Sequence, residues 1–317
     1  MGELTVGSSV GVRLTWDYEP TDSRTGALYQ RAKQMQWSVD DVDWRLPVEF
    51  GSPLPDDSAF AMTAFAASPL ARRGRPAWDA FRWELQAWMV SQFLHGEQAA
   101  MVVASRLVEV MPDLESKFYA TTQAVDEARH VEVFSRYLRT HVPHPYPVSE
   151  PLLLMLTDIL GDPRWDVVAL GMQIMVEALA MAAFRLAGNT FHDDLIKRIT
   201  TLVARDEARH VSFGVLALGG LYDSMTSAER AEREDLVLES AALIRRRFLL
   251  ADIWDRLEVP LREGTDFAAH HELMIAYRQA IFSRVGNALG QIGLLTPRVR
   301  TGLERLDLIR FTEGATR

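Results

Sequence analysis

One hexapeptide occurs twice, as Asp126-Glu127-Ala128-Arg129-His130-Val131 and as Asp206-Glu207-Ala208-Arg209-His210-Val211, at an offset of 80 residues. An acid stands 30 residues before the Glu of each copy, Glu97 in the first and Glu177 in the second. Four carboxylates and two imidazoles in two equivalent sets are donors for a pair of metal ions. Within each copy Glu and His are three apart, so Glu127 with His130 and Glu207 with His210 project from one helix face. The stripes that carry them are apolar: Val131, Phe134 and Leu138 continue one, Val211, Gly214 and Leu218 the other. Phe93, Leu94, Ala100, Met101 and Ala104 flank Glu97, and Ile174, Ala180, Met181 and Phe184 flank Glu177. An unpaired buried carboxylate costs several kcal/mol or stays protonated. No Lys or Arg lies on these stripes, so two divalent cations must balance the four acids, with neutral imidazoles completing the set. An oxygen-rich set with one nitrogen per ion favours iron or manganese over structural zinc or copper.

The interval of 30 residues dictates how the supporting elements run. Its midpoint is Pro112 in the first half and His192 in the second. A helix rising 1.5 Å per residue climbs roughly 20 Å from Glu97 to the turn and descends as far to Glu127. The two acids therefore meet at one level on antiparallel neighbours, and the same holds for Glu177 and Glu207. Helical periodicity predicts long helices over about 78–110, 114–141, 165–187 and 193–221. Met111-Pro112-Asp113, the Pro-rich 142–147 and Gly188-Asn189 serve as stop signals. A crossover over 142–164, with a short helix near 150–160, joins the halves. Further helices are expected over 227–257, 266–289 and 297–307. Ala100/Ala180, Met101/Met181, Thr121/Thr201 and Ala124/Ala204 match at the same offset, which suggests two helix hairpins about a pseudo-twofold axis. The class is all-α. Residues 1–78, with Pro and Gly scattered through 51–55 and 73–76, form an arm on the bundle; 79–221 is the metal-binding core; 222–317 are accessory helices of the same domain.

Composition limits the partners. A net charge of −9 argues against a nucleic-acid backbone as ligand. Arg245-Arg246-Arg247 is the one notable basic run and reads as a solvated helix face, with docking of an acidic partner as the alternative. Cysteine is absent, which excludes disulfides and thiolate ligands and fits a reducing, cytoplasmic setting. Met1-Gly2-Glu3-Leu4 opens no secretory signal, and no uncharged apolar stretch reaches the ~20 residues of a membrane span.

The ligand pattern resembles the ferritin-like di-iron carboxylate superfamily: a Glu from each of two helices and Glu-x-x-His from each of the other two, in a four-helix bundle with a long crossover. The Asp-Glu-x-Arg-His form is similar to its oxygen-activating members, namely ribonucleotide reductase small subunits, ligand-binding oxidases, di-iron monooxygenases and N-oxygenases, and acyl-carrier desaturases. The resemblance covers about 80–220. It implies metal ligands Glu97, Glu127, His130, Glu177, Glu207 and His210, two Fe ions or an Mn/Fe pair, and O2 as co-substrate. Asp126 and Asp206 are expected to reach the metal-bound His of the opposite repeat and fix its tautomer, beside Arg129 and Arg209. Leu28-Tyr29-Gln30-Arg31-Ala32-Lys33 and Gln36-Trp37-Ser38-Val39-Asp40-Asp41 resemble the N-terminal segment of the reductase subunits and ligand-binding oxidases. That implies a Trp37–Asp206–His130 electron relay.

Departures from the family narrow the reading. The radical-forming Tyr of the reductase subunits, four residues after the first His, is Phe134 here, with Tyr137 one turn on. The monooxygenase Thr, four after the third acid, is Met181. The N-oxygenase His, four before the fourth acid, is Val203. His95, His141, His144 and the His270-His271 pair are not expected to extend the site. The expectation is a soluble oxidase or oxygenase that hydroxylates, N-oxygenates or desaturates a small hydrophobic, amine or acyl-chain substrate. Ala100, Ala104, Ala180 and Gly214 would leave a substrate pocket between Phe93, Phe134 and Phe184. Electrons would come from a separate reductase or ferredoxin, since no flavin or nicotinamide fingerprint is present. A homodimer is expected. A radical-generating subunit and a ferroxidase or metal-handling protein are the alternatives.

Overall fold

The computed structural model describes residues 5–7, 10–18, 23–51, 59–191 and 193–310. Met1–Leu4, most of the Pro-rich 51–55 stretch and His192 at the second midpoint lie outside them. Every regular element among the described residues is helical.

Two hairpins make the centre. In the first, α3 (Arg75–Val110) and α4 (Leu114–His141) turn at Met111-Pro112. Asp113 caps α4 by accepting from the Ser116 amide at 2.8 Å. In the second, α8 (Asp194–Leu218) returns against a rod in three pieces: α6 (Trp165–Ala169), a π-helical segment (Leu170–Val176) and α7 (Glu177–Thr190). Asp193 caps α8 through the Ile196 amide. The helices that carry the hexapeptides, α4 and α8, pack side by side, and α1 (Arg24–Gln34) lies across both.

The crossover is anchored rather than loose. Tyr146 is buried; its amide bonds Ser91 and its hydroxyl donates to Glu84 on α3. The Gln92 amide donates to the Pro147 carbonyl and accepts from the Ser149 amide. Then α5 (Glu150–Gly161) leads to the second hairpin.

The third bundle rod, 165–190, is apolar enough by length and composition to cross a membrane, yet 94% of its apolar window is buried inside the protein. It is wrapped by the other bundle helices, by α9 (Ser227–Arg247) and by α12 (Glu272–Gln291). At the π turn the rod approaches its neighbours closely. A Cβ on Gly171 would sit 2.6 Å from Ile159 of α5, and one on Gly214 of α8 would sit 2.4 Å from the Cβ of Gln173.

The helices expected over 227–257 and 266–289 are each broken. Leu250, at φ 57°, separates α9 from α10 (Ala251–Arg256). Extended His271 separates α11 (Leu261–His270) from α12. The last helix is α13 (Pro297–Arg305). A short α2 (Ala59–Ala67) lies in the arm. One hydrophobic core runs from Ala32 of the arm through the bundle to Leu308.

Candidate metal centre

Glu97 and Glu177 sit mid-bundle on α3 and at the first turn of α7, level with the two Glu-x-x-His pairs on α4 and α8. All six side chains are buried, with Glu127, His130, Glu207 and His210 at 0% exposure. They form two overlapping quartets, Glu97–Glu127–His130–Glu207 and Glu127–Glu177–Glu207–His210; within each, one donor atom per residue lies within 4.8 Å of the others. Glu127 and Glu207 belong to both. The carboxylates of the repeated motifs are therefore common to both quartets, and Glu97 and Glu177 belong to one each.

The donor orientation fits cations. His130 turns Nδ1 inward, 2.9 Å from Glu97 Oε2, 3.1 Å from Glu127 Oε2 and 3.2 Å from Glu207 Oε1. His210 Nδ1 lies 3.0 Å from Glu127 Oε1 and 3.1 Å from Glu207 Oε2. One ring nitrogen cannot donate to three carboxylates, and Glu207 Oε1 has no hydrogen-bond donor. A divalent ion between these atoms satisfies them all at once, as oxygen-rich iron and manganese sites do.

Protonation tells the same story. Burial pushes Glu97 and Glu177 well above the usual carboxylate range. Burial acts to raise Glu127 and Glu207 too, but the facing imidazoles outweigh it and hold both low. Burial alone would lower His130 and His210, yet the surrounding carboxylates raise both well above an ordinary imidazole. Two divalent cations would offset the charge of the four carboxylates.

Outside this shell the repeats cross over. His130 Nε2 lies 3.2 Å from Asp206 of the second repeat, and His210 Nε2 3.3 Å from Asp126 of the first. Arg129 donates to both aspartates, and so does Arg209. These cations and imidazoles keep both aspartates ionised, despite burial that would raise them. An ionised Asp fixes N–H at Nε2 and leaves the Nδ1 lone pair for a metal. Trp37 donates its indole N–H to Asp206 at 2.7 Å, so Trp37, Asp206 and His130 are connected through one carboxylate.

Three nearby groups carry no repeat signal. Gln123 donates toward Glu127 at 3.1 Å and toward Glu177 at 3.4 Å, and Gln173 donates to Gln123 at 2.8 Å. Tyr119 is fully buried, packs on Phe213 and has an unpartnered hydroxyl. At the repeat offset Gln123 and Gln173 correspond to Val203 and Phe93, so one side of the centre has an amide clamp and the other is apolar.

A narrow cavity of about 50 Å³ opens onto Glu97 and Glu177. Of the expected pocket residues, Phe93, Ala100 and Ala180 line it. Ala104, Phe134, Phe184 and Gly214 do not. Phe134 and Phe184 stack on each other and meet Phe93 at a tilt as core, Ala104 is core at 0% exposure, and the space beside Gly214 is filled by Gln173. The outer wall comes instead from Leu152 and Met155 of α5, Arg247 of α9, and Tyr277 and Ile281 of α12. Arg247 thus leaves the solvated face expected for it and lies over the Trp88 ring, 5.4 Å from its centroid; Arg246 alone of the trio pairs with Glu150.

The other candidates lie away from the centre. Tyr137 is fully buried and donates to Asp193 at 2.8 Å. His95 bonds the Tyr146 carbonyl, His141 lies tilted against the Tyr137 ring, and His270 pairs with Asp266.

No protein-family model matches the chain, and no curated protein does. Solved structures do. An R2-like ligand-binding oxidase variant with an aerobically reconstituted Mn/Fe cofactor superposes with a TM-score of 0.55 at 18% identity, covering 86% of this chain and 94% of that one. R2-like ligand-binding oxidase from Sulfolobus acidocaldarius gives 0.54 at 17% identity, covering 92% and 93%. The chain shares their ferritin-like fold along nearly its whole length.

Proposed function

We propose that this chain is an O2-dependent oxidoreductase built on a di-iron or Mn/Fe centre, acting on a small apolar, amine or acyl-chain substrate. The observation that carries this reading is the pair of buried quartets sharing Glu127 and Glu207 beside an apolar cavity. The shared fold with Mn/Fe-reconstituted oxidases supports it. When bound, the metal pair supplies O2 reduction and an oxidising equivalent, with the shared carboxylates accommodating changes of charge.

The chain's own residues do the rest. Glu97, Glu127, His130 and Glu207 would hold one ion, and Glu127, Glu177, Glu207 and His210 the other. Asp126 and Asp206 keep the imidazole N–H on the outer nitrogen, and Arg129 and Arg209 keep those aspartates charged. The Gln123–Gln173 clamp fixes Glu127 and Glu177 on one side. Phe93, Ala100, Val176 and Ala180 admit an apolar group to the face of Glu97 and Glu177 and exclude water there. Trp37, half-buried and bonded to Asp206, offers an electron path to His130. Monooxygenation and two-electron oxidation share these requirements.

Metal analysis of the wild type and of Glu127→Ala and Glu207→Ala tests the assignment. The wild type should hold about two iron or manganese ions per chain, as bundles with this ligand set do, and each variant should lose both, since each residue serves both quartets. Full loading of either variant would refute it. Fe²⁺ oxidation that stops near two per chain separates this reading from a ferroxidase.

A further inference from the structure

The molecule carries a net charge of −9, which on the whole repels an acidic protein. One face reverses the sign. A trough runs between α1, α7, α8 and α12, made of two concavities that share Leu28, Arg31, Arg185, Ala208 and Ser212. Arg24, Arg31, Arg185, Arg205 and Arg284 line it and are exposed. No Asp or Glu lines either part. Among the described residues these five guanidiniums have no ion-pair partner, and the one side-chain bond any of them makes is Arg31 to the Met35 sulfur.

The floor leads to the metal centre. Arg209 lines the trough, is only 4% exposed and has an unpartnered Nε. Its Nη2 donates to Asp126 at 3.0 Å and to Asp206 at 2.8 Å, the carboxylates that hold His210 and His130. Met35, also in the trough, lies 3.8 Å from Arg209 Nη1, and Trp37 two residues on shares Asp206.

We infer that this trough docks an acidic redox protein that delivers electrons to the centre through Arg209, Trp37 and the Asp–His pairs. The inference rests on the oxidoreductase reading above and adds where and to what the chain docks. The occupant is a protein rather than a small anion. Arg24 and Arg31 are seven residues apart on one helix, roughly 10 Å, and the remaining cations sit on three other helices. A small molecule lying in this open trough would keep much of its surface in water, whereas small-ligand sites enclose most of theirs. Complementary charge steers and orients a protein partner, and on this molecule it does so at the face that Arg209 joins, through Asp126 and Asp206, to both imidazoles. In each step the donor loses one electron and one oxidised metal ion gains it, with no bond made or broken.

The test uses the metal-loaded, oxidised full chain under anaerobic stopped flow, with a reduced plant-type ferredoxin and a reduced flavodoxin as acidic donors. Photoreduced deazariboflavin, small and uncharged, is the reference. Arg31→Glu/Arg185→Glu/Arg284→Glu is compared with Arg139→Glu/Arg300→Glu, a charge reversal of equal kind on exposed arginines elsewhere. The expected result is a second-order rate with at least one protein donor that falls tenfold or more with added salt. At low salt the triple variant should lose a similar factor, the control variant none, and deazariboflavin should reduce all three alike. Equal rates for triple variant and wild type, or no reduction of the wild type by either protein, would overturn the docking site while leaving the metal centre intact. Retained ferredoxin reduction with lost binding of an acidic acyl carrier protein would overturn it in favour of carrier docking, and a change in oligomeric state in favour of a second copy. A purified chain without iron or manganese would instead refute the oxidoreductase reading itself.

Discussion

Asp206 takes bonds from Trp37, Arg129, Arg209 and His130, and an Asn in its place keeps one acceptor oxygen and turns an NH2 toward donors. Asp206→Asn should therefore weaken the ion held by His130, in the other repeat, by about 10–100-fold, measured by competition with a chelator. Unchanged affinity would mean the carboxylate does not orient the ring. A second prediction concerns pH. In metal-free protein Glu97, Glu177, His130 and His210 all have raised folded-state pKa values, so the folded state holds more protons than the unfolded one above the ordinary carboxylate and imidazole ranges. Its stability should fall as pH rises through neutrality, and metal binding, which displaces those protons, should tighten over the same window. Melting temperatures of stripped and loaded protein across pH 6–9 check this; a gap between them that narrows with rising pH would contradict it. The six donors and both aspartates were legible because their types recur at a fixed offset. Gln123, Gln173 and Tyr119 were not, because their counterparts at that offset have other chemistry.

At the scale of elements, the π turn before Glu177 is the feature that a periodicity reading cannot see. Leu170–Val176 are apolar on every side but for Gln173, so one extra residue per turn leaves no mark in the pattern. It brings Gln173 against α8, where only a glycine fits. Gly214→Ala would force two Cβ atoms to 2.4 Å, which the rods can relieve only by parting; a loss of about 1–3 kcal/mol is expected, read from chemical denaturation. A loss below half a unit would show that the π turn yields easily. The long bundle helices were readable because Pro112 and the 142–147 prolines end two of them. The breaks at Leu250 and His271 were not, because no Gly or Pro marks either and tertiary packing imposes them; buried Leu250 accepts a left-handed backbone to stay in the core.

For the whole molecule, the helices after residue 222 complete the cavity: α9 and α12 form its outer wall, and Arg247 and Tyr277 sit there. Sequence periodicity gave no reason to bring them to this side of the bundle, since tertiary packing decides which face they cover. Ala180→Phe should fill this space without touching a metal ligand. Xenon under pressure should occupy the wild-type cavity and be displaced in the variant, with metal content unchanged; xenon bound equally in both would place the void elsewhere. The crossed bonding of the repeats reaches furthest. Each hairpin supplies the aspartate that braces its twin's imidazole and one of the two glutamates common to both quartets, so a lone hairpin holds neither quartet complete. Two copies of a chain half this size, meeting face to face, would assemble all of it. Severing the protein between residues 142 and 149 should accordingly give fragments that are each inert and regain their ions only on remixing.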